Sequence, residues 1–476
     1  MRHLVFLLAL CASAQAVPPP EDTWMSVLLG GRKIGSMHTT RTLHDERVTT
    51  RQELQIEFDR AGTKVALSTS ETDEETSAGA PLGFESRTTM SGSENVVSGT
   101  VRSDGMIDVQ RRIGGETQKR TLAWPANALL AEGLRLAEQR AGTAAGTRYT
   151  NLAFQAENLE AVAIETIVGS AEKIDLPDGA RTLTRIEQTI SLPDAPTRST
   201  AWIDADLDVV KLVMPVLGYE LTMLACSKQC AQAPNQSADI LVHSLMPSPR
   251  ALDAGERRNG LVLDVSANDN GAALKIVQTD EQQVTPRAGG FRIRISPVDA
   301  DTAVLESKPE SSDTQANDWL QSNAAEIIAL AKKGAGDAKA PAETMQRLED
   351  FVRGYIRTKD LNIGYASALE VARNPQGDCT EHAVLLAALG RARGVPTRVV
   401  DGLVYVDHYA GADHVFVPHA WAQAFVDGHW KSFDAALRGF DAGHVALSFG
   451  DGDPWRFFTG FNSLGRMRVD AVEAIH

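Results

Sequence analysis

Alternation of apolar and polar positions dominates the first half of the chain. Trp24-Met25-Ser26-Val27-Leu28-Leu29 runs into Gly30-Gly31 and leaves through Arg32-Lys33-Ile34-Gly35, a hairpin signature. Between Gln52 and Asp59 the apolar residues Leu54, Ile56 and Phe58 take every second position, so one face of a strand is apolar. Residues 183–192 and 202–213 repeat the pattern, whereas in this half only residues 126–140 read as a helix, weakened by Gly133. A large antiparallel β region with one polar face is therefore expected over residues 17–249. Pro247-Ser248-Pro249 marks a boundary or tight linker. Strands are expected again near residues 261–265, 273–277 and 291–295. They form a small module or complete the first sheet, so residues 250–312 are assigned as a small β module or linker region.

The period changes after Asp318. Trp319, Ile327, Ile328 and Leu330 mark a helix ended by Lys332-Lys333-Gly334, and after a loop at 336–341 Met345, Leu348, Val352, Tyr355 and Ile356 mark another. The strongest helix follows Gly377-Asp378-Cys379-Thr380-Glu381-His382-Ala383. Asp378 is a good N-cap with Glu381 three residues later, as in a capping box, and Arg391, Arg393, Gly394 and Pro396 mark the end. Its apolar residues surround the axis, which predicts burial. Residues 397–406 read as a strand. Residues 419–426 and 429–434 then flank Asp427-Gly428, a strong two-residue hairpin signal.

That hairpin fixes a register. With a two-residue turn Val426 opposes His429 and Trp421 opposes Asp434, so His419, Trp421, Trp430 and Asp434 project from one face. His419 and Asp434 become diagonal neighbours about 7–8 Å apart at the backbone, within side-chain reach. A carboxylate there can fix the imidazole tautomer while the other ring nitrogen faces a thiol. Cys379 is expected at the first helical position, where free N–H groups and the helix dipole favour a thiolate relative to a free cysteine at about 8.5. Tertiary packing has to bring it to the hairpin. Cys379, His419 and Asp434 would then be nucleophile, base and orienter.

Composition narrows the setting. A chain of 476 residues has room for two or three domains, and its net charge of -15 argues against nucleic acid and anionic membranes as partners. Arg2 and His3, the apolar run Leu4 to Leu10 and Ala14-Gln15-Ala16 read as a signal peptide over residues 1–16, with a mature start at Val17. It is too short to span a membrane, no later stretch is long enough, and Leu10 is too bulky for lipid attachment at Cys11. A periplasmic or secreted bacterial protein is expected. Three cysteines remain: Cys226 and Cys230, expected to pair in an oxidising compartment, and Cys379, an odd free thiol. A zinc reading of the pair has only His243 close by. A thiol-redox reading meets CxxxC rather than CxxC spacing.

Gly377-Asp378-Cys379-Thr380-Glu381-His382-Ala383, residues 393–402, His419-Ala420-Trp421 and Asp434 together resemble the bacterial transglutaminase-like superfamily, with four motif blocks in order over residues 313–476. The resemblance implies a multidomain chain: a large antiparallel β N-terminal region plus a C-terminal α+β papain-like transglutaminase core. It also implies Cys379 as nucleophile, His419 as general base and acid, and Asp434 as orienter. The preceding β region resembles the export-associated half-barrels often joined to such cores. The expected function is an exported cysteine enzyme that cleaves or transfers amide acyl groups of a protein or peptide, with the cell envelope as one source of substrate, through a thioester (peptidase or amidase, or protein cross-linking). The alternative is a catalytically inactive envelope scaffold. No cofactor is expected. No calcium site stands out, and the Cys379 N–H is one potential oxyanion donor.

Each residue also has a plainer reading. Cys379 can be a buried structural thiol and His419 a packed histidine, and Asp434 stands or falls with His419. His382, one turn beyond Cys379, reads as structural. Trp421 and Trp430 read as core or cleft wall. His408, His414, His429 and His444 look scattered without ligand spacing, so no metal site is proposed. The run Glu71-Thr72-Asp73-Glu74-Glu75 reads as a solvated face.

Overall fold

The computed structural model describes residues 21–475 except 61, 91, 192–195, 217, 241–243, 269–275, 299–303, 359–364 and 454–466. The expected signal segment, Val17 and His243 lie outside the described residues, as do positions 273–275 of one expected strand.

The first half is one fifteen-stranded sheet, built from two meanders joined where Glu21–Leu29 pairs with Tyr219–Ala225. Its neighbours are antiparallel, except that Ala128–Leu129 pairs parallel to Arg148–Gln155. Gly30 and Gly31, both at positive φ, turn Glu21–Leu29 back into Arg32–His44, the expected hairpin. Leu54, Ile56 and Phe58 share a face of Arg47–Arg60 and pack on a small core around Val27, Leu29 and Ile34. The expected strand over 202–213 is two strands, Thr197–Ile203 and Val209–Val216, because Asp204 accepts the amides of Asp206 and Asp208 and closes a turn between them.

Two expectations fail for one shared reason. The helix runs only over Ala131–Ala141, and its N-cap, Leu130, offers no side-chain acceptor. The caps come from the acidic run instead. Glu75 accepts from the amides of Glu132 and Gly133, and Asp73 from Ala131. Glu71, Asp73 and Glu75 alternate along one strand; Glu75 is fully buried and Asp73 nearly so, and burial with neighbouring carboxylates pushes Asp73 up to about 8. The run is not a solvated face. A second, four-residue helical turn, Lys228–Ala231, carries the Cys226–Cys230 disulfide against Ser26.

The strands after residue 250 neither stand alone nor extend the first sheet. Leu261–Ala267 lies between Gly290–Ile295 and the last strand, Met467–Ala474, with Gln282–Arg287 at the edge. The chain end thus returns to the segment that leads into the helical part. Ile276 and Val277 lie outside any strand.

The remaining α+β unit places four helices against a second sheet. Ala325–Ala335 begins later than the pattern suggested, because Asn317 accepts the amides of Trp319 and Leu320 and holds Trp319 in a preceding turn. Pro341–Tyr355 follows as expected, and a short helix the periodicity did not reveal, Ala368–Arg373, is capped by Ser367. Cys379–Ala392 is the central helix, buried on every side from Thr380 to Arg391. The sheet order is Met246–Pro247, Ala412–Val426, Thr397–Tyr409, His444–Gly450, with His429–Phe433 paired to the far half of Ala412–Val426. The expected linker at Pro247 is therefore an edge strand. Leu385, Leu389, Met345, Leu348, Leu403 and Phe416 belong to one continuous core between helices and sheet. Among the described residues no helix is long and apolar enough to cross a membrane.

Candidate active site

The central helix starts where the sequence places it. Asp378 Oδ1 accepts from the Thr380 amide at 2.9 Å, and Glu381 Oε2 accepts from the Asp378 amide at 2.9 Å, a complete capping box. Cys379 is therefore the first helical residue and a free, half-buried cysteine. The helix packs on Ala412–Val426, and the Ala420 amide points its dipole at the Cys379 sulfur. His419 is the residue before Ala420, so the start of the helix lies against the stretch of strand that carries the imidazole.

The hairpin has the expected register: Val426 pairs with His429, Gln423 with Ser432 and Ala422 with Phe433. The strand stops one residue before Asp434, whose side chain continues on the His419 face. His419 Nε2 lies 2.8 Å from Asp434 Oδ2, and both side chains are more than nine-tenths buried. Nδ1 is the ring nitrogen left for the thiol. Asp434 is held from several sides: Oδ1 accepts from Ala436 N at 2.8 Å and Leu437 N at 3.1 Å, while its own amide donates to Glu349 at 2.7 Å. Arg353 donates to its carbonyl. Helix Pro341–Tyr355 thus fixes the carboxylate through Glu349 and Arg353.

Sequence reasoning missed His444. Strand His444–Gly450 pairs with Thr397–Tyr409 and carries this histidine, fully buried, to 3.1 Å from the same Asp434 Oδ2. Its other nitrogen meets the Asp441 carbonyl at 3.0 Å and the Asp441 carboxylate at 3.5 Å. Burial opposes its charge, yet these two aspartates push it up to about 9. No spacing signal pointed to it: His444 follows Asp434 by ten residues, but it reaches the carboxylate on a strand that pairs with Thr397–Tyr409 and not with the hairpin. His408, His414 and His429 stay outside the cluster, consistent with their reading.

Burial would raise Asp434, but the charge and hydrogen bond of His419, with those of His444, hold it far below the usual carboxylate range. Cys379 goes the other way. Burial and the adjacent Asp378 carboxylate push the thiol well up, against an opposing pull from Arg60 and the Ala420 amide. This direction is opposite to the lowering expected from the helix terminus, because burial and the capping carboxylate both disfavour the sulfur anion. Such a thiol reacts only when a base takes its proton.

Trp421 walls this group, 5.1 Å from the His444 ring and 6.1 Å from the His419 ring, with its indole N–H on Ser432 Oγ at 2.9 Å. Gly402, opposite His419, makes room for it, since a Cβ there would lie 2.8 Å from the Trp421 ring and 2.1 Å from the Val445 carbonyl. Trp430 sits apart, stacked under Arg398 with its N–H on Ser307. His382 is structural, its Nδ1 meeting the Asp378 carbonyl at 2.6 Å. His419, Asp434 and His444 could in number ligate a metal. The fit is poor, because both imidazoles already meet one carboxylate oxygen and the other His444 nitrogen meets the Asp441 carbonyl.

Residues 328–435 match the family model of the transglutaminase-like superfamily. Among solved structures, a candidate cysteine protease from Cytophaga hutchinsonii aligns at 14% identity over 49% of this chain and 84% of its own, with a TM-score of 0.28. A β-barrel-like protein of unknown function from Brucella abortus aligns at 12% identity over 44% and 96%, with a TM-score of 0.36. A candidate protease from Parabacteroides distasonis aligns at 11% identity over 83% and 70%, with a TM-score of 0.21. No curated protein matches the chain. The chain thus carries a transglutaminase-like domain behind a large antiparallel β region.

Proposed function

We propose that this transglutaminase-like domain is a cysteine enzyme that breaks amide bonds of a protein or peptide through a thioester on Cys379. The observation that carries the reading is the 2.8 Å contact between His419 Nε2 and Asp434, beside the Ala420 amide that faces the thiol. His419 Nδ1 takes the Cys379 proton as the sulfur adds to the amide carbonyl. Collapse of the tetrahedral adduct breaks the C–N bond, and the same proton goes from His419 to the leaving amine or ammonia. The charge on the imidazolium is stabilised throughout by Asp434. The Cys379 backbone N–H, at the first position of the helix beside the thiol, takes the role of oxyanion donor in this reading. Water then attacks the thioester in a peptidase or amidase, and a primary amine does so in a transglutaminase. In either case His419 takes the attacking proton and returns it to sulfur. The N-terminal segment with Arg2, the apolar run and Ala14-Gln15-Ala16 supports export to the periplasm or beyond, where envelope proteins or peptidoglycan peptides supply amides.

The test is alkylation of purified protein with iodoacetamide from pH 6 to 9, mapped by mass spectrometry, with His419→Ala alongside, followed by a search for a mass added on Cys379 with amide peptides. Labelling of Cys379 that slows several-fold in the variant, and an acyl adduct released by hydroxylamine, are expected. Labelling unchanged by the variant with no adduct on any peptide would overturn the enzyme reading in favour of a binding scaffold.

A further inference from the structure

The nucleophile helix contains an internal conflict. Asp378 starts the helix, yet it places a full negative charge directly before the thiol that must become an anion. The resolution comes from outside the transglutaminase-like domain. Arg60, at the tip of the hairpin formed by Arg47–Arg60 and Thr63–Thr76, donates to Asp378 Oδ2 at 2.5 Å. Asp378 Oδ1 meanwhile accepts from both the amide and the hydroxyl of Thr380, so Arg60 is the cation on the other oxygen. Both ends of the ion pair are shielded: the Asp378 side chain is 9% exposed and that of Arg60 22%.

The hairpin tip is braced to the catalytic unit. Asp59 N donates to the Ala238 carbonyl at 2.8 Å and Ile240 N to the Asp59 carbonyl at 3.0 Å. The same connecting segment then pairs Met246 with Phe416 and Pro247 with Val415, on the strand that carries His419. Backbone hydrogen bonds at Asp59 thus hold the end of the strand from which the Arg60 side chain reaches Asp378.

We propose, on the reading of Cys379 as nucleophile, that Arg60 of the β region is a positioning residue of the active site. It neutralises the capping carboxylate of Asp378 so that the helix start can accommodate the sulfur anion. The β region then completes the catalytic site rather than only carrying it. Other charged or titratable groups around the thiol are Glu381 on the same helix, His419 with Asp434 on the sheet, and Tyr409 on the neighbouring strand. Glu381 is pushed up to about 8 by burial and by Asp378, so near neutrality it is mostly uncharged and leaves Asp378 as the anion to be offset. The pull of Arg60 on the thiol agrees in sign.

The experiment is the pH profile of Cys379 alkylation in the full-length chain with Arg60→Gln, Arg60→Lys, Asp378→Asn and the double variant Arg60→Gln/Asp378→Asn. Arg60→Gln is expected to move the profile to higher pH and slow labelling about tenfold at neutral pH, the change that accompanies one pH unit in the thiol. Arg60→Lys restores part of the rate. Asp378→Asn, which keeps a good N-cap, moves the profile to lower pH, and adding Arg60→Gln to it shifts it less than in the wild-type background. Superimposed profiles for Arg60→Gln and wild type overturn the proposal. Faster labelling in Arg60→Gln also overturns it, since the hairpin tip would then be a plug. Thiol titration needs no substrate, so failure of the enzyme reading would appear separately, as no response to His419→Ala.

Discussion

Replacing His444 by Gln tests whether the second imidazole on Asp434 is a buried cation. Gln retains a donor that can reach Asp434 but no charge. The magnitude follows from proton linkage. A histidine held at about 9 when folded and at 6.5 when unfolded binds its proton more tightly in the native state. At about 1.4 kcal/mol per tenfold, this amounts to about 3 kcal/mol of stability. The sign is fixed by the direction. The contribution is fully present below about pH 6.5, declines as pH rises, and is lost through pH 9. The difference between wild type and His444→Gln should therefore be about 3 kcal/mol near pH 6 and shrink toward zero by pH 10. Glu281, pushed to about 7 by burial, and Glu381 titrate in the same window, but both proteins hold them, so they largely cancel in the difference. Urea unfolding followed by tryptophan emission is the assay, since Trp421 lies against His444. A difference that is flat across this range, or that grows toward pH 10, would refute the assignment of a proton shared between His444 and Asp434.

Two substitutions probe the helix start. At Gly377, with φ of 144°, a Cβ would lie 2.4–2.6 Å from the Glu381 side chain, so Gly377→Ala should cost about 2 kcal/mol or more in urea unfolding and slow Cys379 labelling; an unchanged midpoint and rate would show that the capping box tolerates the shift. Glu381 takes the amides of Ala366 and Asp378, so Glu381→Ala should cost about 2–4 kcal/mol through unpaired buried donors. The mostly uncharged side chain predicts only about 1 kcal/mol for Glu381→Gln, and equal losses in the two variants would mean that the charge itself is required.

What the chain discloses about itself follows the range of the interactions. The capping box at Asp378 and the His419–Asp434 face were legible because each is set by local hydrogen bonds or by a two-residue turn. The β region was legible as a class from its alternation, but the turn at Asp204 and the start of the helix at Ala131 were displaced by side-chain caps that the hydrophobic period does not encode. The acidic run was misread for the same reason: composition marks Glu71 to Glu75 as charged, and only the docking of a distant helix terminus makes Asp73 and Glu75 buried acceptors.

The site divides along that line. The cap and the base–carboxylate pair follow from a local box and a turn, whereas the place of the thiol on the sheet and the countercharges follow from packing. His444 reaches Asp434 through a strand that pairs with Thr397–Tyr409, and Arg60 reaches Asp378 across more than three hundred residues of chain. Both contacts place a cation on a carboxylate that the local motif had already positioned. Each offsets a charge the motif must bury: Asp434 to orient the base, Asp378 to start the helix. A motif supplies the reacting groups, and the surrounding fold supplies the countercharges that let them remain in a dry site. On this reading, substituting either cation should alter the pH response of the site while leaving the backbone positions of Cys379, His419 and Asp434 in place. Substituting a cap such as Glu381 or Gly377 should instead disturb the geometry itself.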